Sequence, residues 1–111
     1  MTNYLSMDRF AALAEPTRRQ IVEMLGERPL AAGEIVARFQ MSAPAVSQHL
    51  KVLKEAGLVR VEVAGQRRIY SLDPVGLDAF EAWVRKVRGF WGAHLDLLEK
   101  ELAKPDAGEG E

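Results

Sequence analysis

The tightest constraint on this chain lies in residues 42–72, where a capped helix, a glycine stop and two alternating strands follow one another directly. Ser42 offers a side-chain oxygen to the first amides of a helix, and Pro44 sits in its first turn, where a missing N–H costs little. The helical stretch 43–56 ends at Gly57, a residue suited to the left-handed position past a helix end. Leu58-Val59-Arg60-Val61-Glu62-Val63-Ala64 is β-branched and alternating, which predicts a strand. Gly65-Gln66 fits a two-residue type II′ turn, and residues 67–72 return as the second strand.

Four further helices are legible around this unit. Residues 5–14 predict a short helix, with Ser6 as cap and Phe10, Leu13 and Ala14 at helical spacing. Glu15-Pro16 opens a second helix over about 16–25, with Ile21, Met24 and Leu25 inward and Gly26 as a left-handed stop. After the connector Arg28-Pro29, a third helix is predicted over 31–39, its start poorly capped because Ala31 has no side-chain oxygen. Gln40-Met41-Ser42 is a tight turn into the 43–56 helix. Asp73-Pro74 caps and starts a long helix over about 75–103. The order predicts a mainly α fold with a small β-hairpin, a winged helix-turn-helix.

Length and composition narrow the class. At 111 residues the chain is expected to form one domain, over 1–104, followed by a disordered acidic tail at 105–111. With no cysteine, disulfide scaffolds and thiolate metal sites are excluded. No apolar run approaches the ~20 residues that span a bilayer, and the N-terminus lacks a secretory leader, so the expected compartment is the cytoplasm, with no membrane partner. The net charge is −1, yet residues 42–72 carry five Lys or Arg against two Glu. A basic middle in a near-neutral chain hints at an anionic partner.

On a wheel of ~100° per residue, Val46, Leu50 and Leu53 of the 43–56 helix form one narrow apolar stripe. Ser47, Gln48 and Lys51 point away from it, beside the small first-turn residues Ala43 and Pro44, with Ala45 to the side. A slim, acid-free first turn is what a helix needs to enter the major groove of DNA. Gln48 carries the paired donor and acceptor that read adenine, Ser42 and Ser47 can bond phosphate or base edges, and Lys51 can meet a phosphate. His49 lies ~60° off the buried stripe, and a phosphate contact and a structural bond to the second helix both suit it. Arg67 and Arg68 follow the hairpin turn on opposite faces, so one of them faces a minor groove, while Arg60 stands on the partner strand. Protection of an exposed strand edge is the competing role for these cations.

The terminal helix carries Leu77, Phe80, Trp83, Val84, Val87, Phe90, Trp91, Leu95, Leu98 and Leu102, with His94 interrupting a seam of alternating three- and four-residue spacings. So wide a stripe predicts a homodimer built on Trp83, Val87, Phe90, Trp91, His94 and Leu98, with Phe10 and Leu13 of the first helix as a second layer. Gly89 and Gly92 weaken this helix and suit close approach of another. The two histidines sit on different helices, and Asp96 and Glu99 follow His94 at spacings of 2 and 5, which do not share its face. No nucleophile–base signature or phosphate-binding glycine loop occurs, so no enzyme activity, cofactor or metal is expected.

The segments Leu13-Ala14-Glu15-Pro16-Thr17-Arg18 and Met41-Ser42-Ala43-Pro44-Ala45-Val46-Ser47-Gln48-His49-Leu50 carry a resemblance that continues through Lys51–Val59, the hairpin with Gly65, Arg67, Arg68 and Tyr70, and Leu72-Asp73-Pro74. Over residues 7–100 the chain resembles the ArsR/SmtB family of winged-helix repressors. The resemblance implies a dimeric transcriptional regulator, usually a repressor of its own operon, that binds double-stranded operator DNA. It carries DNA contact to Ser42, Ala43, Ala45, Ser47, Gln48 and His49, and to the wing at Arg67 and Arg68. Metal-sensing members use cysteines or His/Asp sets; residues 31–39 hold no cysteine and the terminal helix no paired histidines, so the chain is similar to the metal-independent, SdpR-like branch, its inducer open. A winged-helix protein-interaction module and a ligand- or metal-responsive sensor on the same scaffold stand as alternatives.

Overall fold

The computed structural model describes residues 9–103; the Ser6 cap, the start of the first helix and the acidic segment 105–111 lie outside the described residues. Residues 9–13 are helical (α1). They are followed by α2 (Pro16–Glu27), β1 (Leu30–Ala31), α3 (Ala32–Val36), α4 (Ala43–Glu55), β2 (Val59–Ala64), β3 (Arg67–Leu72) and α5 (Pro74–Ala103). This is a mainly helical winged fold with a three-stranded antiparallel sheet in the order β1-β3-β2.

Local chemistry explains most boundaries. Glu15 caps α2: its carboxylate accepts the Arg18 N–H at 3.0 Å, with Pro16 behind it in the first turn. Ser42 Oγ accepts from Ala45 N at 3.2 Å and starts α4. Gly57 ends that helix at φ 77°, a left-handed conformation that a side chain would strain. Gly65 has φ 66° and Gln66 does not share a positive φ, which fits type II′ and excludes type I′; Ala64 and Arg67 close the loop as a pair. Asp73 Oδ1 accepts from Val75 N at 3.0 Å at the start of α5.

Three expectations are corrected. The predicted connector continues into a strand: Leu30 and Ala31 pair with Tyr70 and Ile69 of β3, so the sheet has three strands where a hairpin was expected. Gly26 is an ordinary helical residue rather than a left-handed stop, because the chain leaves α2 extended, with Arg28 at φ −170° and ψ 160°, and needs no reversal there. The third helix is shorter than 31–39: Arg38 N–H to Ile35 and Phe39 N–H to Val36 tighten its end into a turn, and Phe39 packs on the core from outside the helix. Its start is poorly capped, as expected: Ala31 offers no side-chain oxygen to the first amides of α3, although Glu34 reaches back to accept the Ala31 N–H at 2.8 Å.

The contacts divide the chain into two compact units, through Phe80 and from Glu81 onward. In the first, Ile21 and Leu25 of α2, Leu30 of β1, Ile35 of α3, Val46, Leu50 and Leu53 of α4, Leu58, Val59 of β2 and Tyr70 of β3 form one core with Ala12. The α4 stripe predicted from periodicity is the one buried. Leu13 packs against this core, and the Phe10 ring meets Phe80 edge to face at 5.3 Å. From Glu81 onward, α5 keeps Val84 and Val87 half-buried and leaves Trp83, Phe90, Trp91, Leu95, Leu97, Leu98 and Leu102 exposed.

Gly76 marks an approach that sequence periodicity did not flag. It is buried, and a Cβ there would overlap the carbonyl of Gly57 at the end of α4. Two glycine backbones thus touch, and Asp73 N–H to Leu58 C=O at 2.9 Å closes the same corner. Gly76→Ala is expected to cost about 3 kcal/mol, the top of the overpacking range. Gly33→Ala, with nothing within 4 Å, should be neutral or stabilising by up to about 1 kcal/mol. Urea denaturation of both variants reads the contrast.

Candidate nucleic-acid interface

Burial of Val46, Leu50 and Leu53 fixes which side of α4 faces outward. Ser42, Ala43, Ser47, Gln48 and Lys51 are exposed together; Ala45 and His49 are half-buried at the flanks. Between this face and the sheet runs a groove of about 450 Å³. Ser47, Gln48, Lys51 and Lys54 form its α4 wall, Arg68, Val63 and Val61 its wing wall, and Leu50 and Tyr70 its floor. Three cations over an apolar floor suit an extended anionic chain with carbon-rich sugars. Lys54 and Val63 were absent from the sequence-derived set. Lys54 stands three residues after Lys51 on the helix, and Val63 stands directly opposite Arg68 in the strand register.

Both wing arginines are exposed, and their surroundings differ. Arg68 faces the groove. Arg67 also points into solvent, but its Nη2 lies 3.7 Å from Glu34 Oε1. Glu34 is a junction: it accepts from the Ala31 amide and meets Arg28 Nη2 at 3.4 Å through its second oxygen. The Ala31 N–H bond, with Arg28 and Arg67 nearby, holds the Glu34 carboxyl below its ordinary value despite an opposing effect of burial. Arg60 Nε reaches Ser71 Oγ across the hairpin at 3.4 Å.

His49 is set apart from the outward face. Its Nδ1 lies 3.3 Å from Arg18 Nη1 and 3.9 Å from Glu15 Oε1, at the start of α2. Burial pushes the Glu15 carboxyl upward, but the hydrogen bonds from the Arg18 and Thr17 N–H groups and the charge of the Arg18 guanidinium work against it, and the group is lowered. The residues expected at a dimer interface fall into two groups: Phe10 and Leu13 pack within the first unit, whereas Trp83, Phe90, Trp91, His94 and Leu98 are exposed on α5 and Val87 is half-buried there. His94 meets Trp91 edge to face at 5.6 Å. Among the described residues, no three His, Cys, Asp or Glu gather as a metal site, and no helix is long and apolar enough to cross a membrane.

Comparison with known proteins bears on this geometry. The profile of bacterial regulatory proteins of the arsR family matches residues 15–61. The chain is 51% identical over 96 residues to the HTH-type transcriptional regulator Rv2034 of Mycobacterium tuberculosis, spanning 81% of this chain and 90% of that protein. It is 36% identical over 75 residues to the transcriptional repressor SdpR of Bacillus subtilis, spanning 68% and 83%. Among solved structures it resembles the homodimeric winged helix-turn-helix DNA-binding domain of Mb0332 from Mycobacterium bovis, with TM-score 0.62 and 25% identity over 83% of this chain and 82% of that one.

Because folding lowers Glu34 and Glu15, their contribution to stability is complete above the ordinary carboxylate value of 4.5 and is lost as pH falls through the lowered values. Denaturant midpoints measured from pH 7 down to 3 should therefore fall, and Glu34→Gln should flatten that fall. A Glu34→Gln profile parallel to the wild type would show that the junction adds nothing.

Proposed function

The chain belongs to the arsR family of bacterial regulatory proteins, in its SdpR-like branch, and on that premise we propose that this DNA-binding transcriptional regulator is a dimeric repressor of its own operon. It acts in the cytoplasm on a pseudo-palindromic operator. In this reading α4 lies in the major groove, where Gln48 reads adenine and Ser42, Ala43, Ala45 and Ser47 line the approach. Lys51 and Lys54 hold the phosphate strand that passes between helix and wing. The wing enters the adjoining minor groove with Arg68, while Arg67 stays near Glu34 as a second cation. The observation that carries this reading is the exposed, acid-free face of Ser47, Gln48 and Lys51 opposite Arg68, held outward by the buried stripe behind it.

A second copy supplies the second half-site, about 34–36 Å along the duplex. The exposed α5 residues Trp83, Phe90, Trp91 and Leu98 support pairing through that helix, and the homodimeric relative makes the same kind of assembly reasonable. Trp91→Glu should shift the chain to a monomer in sedimentation and weaken operator binding in step. A variant that stays dimeric would remove Trp91 from the interface.

Fluorescence anisotropy against duplexes from upstream of the protein's own gene, with random duplex as competitor, tests the DNA assignment. Preference for the upstream DNA is expected, with affinity falling steeply as salt rises. Gln48→Ala should lose about 1–3 kcal/mol of discrimination per recognised base. Arg68→Ala should instead reduce the salt slope by about 0.9 while sparing sequence preference. Equal binding by all three proteins would refute the interface.

A further inference from the structure

Arg18 is placed where one guanidinium serves two helices. Its Nε donates to the Ala12 carbonyl at 2.6 Å and its Nη2 to the Ala11 carbonyl at 3.2 Å, at the end of α1. Its Nη1 stands 3.3 Å from His49 Nδ1 on α4. A guanidinium has donors and no acceptor, so in this contact Arg18 gives the hydrogen and Nδ1 takes it. A neutral imidazole that accepts at Nδ1 carries its proton at Nε2. Within the described residues Nε2 has no hydrogen-bond partner, and it is not among the buried unpartnered atoms, so it opens to solvent. The ring is held by its inner edge while its outer nitrogen is unoccupied, one residue after Gln48.

We infer that Arg18 is a positioning residue for DNA binding: by donating to His49 Nδ1 it fixes the imidazole as a neutral Nε2–H donor aimed at the phosphate backbone. This rests on the proposed DNA-reading role of α4. Glu15, the other charged group beside Nδ1, lies at 3.9 Å, outside hydrogen-bond range of a neutral ring. The contact joins the end of α1 to the reading helix through a single side chain. His49 therefore adds a directed hydrogen bond without adding a cation, which separates it from Lys51, Lys54 and Arg68.

Two measurements test this on the full chain. Nitrogen-15 spectra of the imidazoles without DNA, assigned with His49→Asn and His94→Asn, should show His49 protonated at Nε2, its Nδ1 resonance displaced by an accepted hydrogen bond. Arg18→Leu should remove that displacement and Arg18→Lys restore part of it. A proton on Nδ1, or a spectrum indifferent to Arg18→Leu in a folded protein, overturns the inference.

In duplex binding, His49→Asn should weaken affinity about tenfold, and His49→Gln, whose amide nitrogen falls near the Nε2 position, should recover most of the loss. The salt slope should stay unchanged in both, since no counterion-releasing charge is lost. Arg18→Leu should weaken binding in the wild type and add nothing in the His49→Asn background; additive losses would show that Arg18 acts through α1 alone and overturn the inference. If the wild type shows no preferred duplex, the proposed function falls instead, and the imidazole spectra still report on the Arg18–His49 contact.

Discussion

The outward face of α4 depends on three aliphatic side chains on its hidden side. Val46, Leu50 and Leu53 are 0, 2 and 0% exposed, against a wall made by α2, α3 and the sheet. Each is worth roughly 1.5–3 kcal/mol on burial, an upper figure because unfolded chains already hide some apolar surface. Their sum is of the order of a small domain's whole stability. The stripe therefore fixes the rotation of α4 about its own axis. With that rotation fixed, Ser47, Gln48 and Lys51 have nowhere to go but outward, and their polarity costs the core nothing.

Rotation alone does not fix position along the axis, and contacts at the start, midpoint and end of α4 supply that. At one end Ser42 closes the first turn, and at the midpoint His49 is pinned by Arg18 to the start of α2. At the other, Gly57 turns the chain and Gly76 brings the start of α5 within backbone contact. Arg18 and Arg19 both reach back to carbonyls at residues 11–14, which fastens α1 to α2. The result is a helix held by apolar burial along one stripe and by directional and close backbone contacts beside it, a combination suited to presenting side chains in a fixed register.

What the sequence made legible follows from the range of each cause. The α4 stripe, the Ser42 cap, the Gly57 stop and the Gly65 turn depend on neighbours within a few residues, and the structure has each where periodicity and turn chemistry put it. The features that escaped depend on distant partners. Leu30 and Ala31 become a strand because Tyr70 and Ile69 offer an edge forty residues away in the chain. Gly76 is constrained by Gly57, and Glu34 gains a further cation from Arg67 across the fold. Glycine 26 misled for the converse reason: its type favours a reversal that the next strand does not require. In the site, the outward position of Gln48 was readable from helix periodicity, and alternation left open which of Arg67 and Arg68 lines the groove, whereas the Arg18–His49 contact needed the fold to bring residues 31 apart together.

The two-residue strand β1 has a mechanical consequence out of proportion to its size. By pairing with β3 it makes β3 the central strand, with Tyr70 buried at its root, while residues 62–68 have little beneath them. The hairpin past Val61 is a cantilever clamped at one end, reaching roughly 13 Å at ~3.3 Å per residue. Deflection in such a beam concentrates at the free end. Gly65 and Gln66 at the tip thus have the greatest travel, the Arg67–Glu34 ion pair acts as a stay beside them, and the clamp, with the helix seated next to it, stays still.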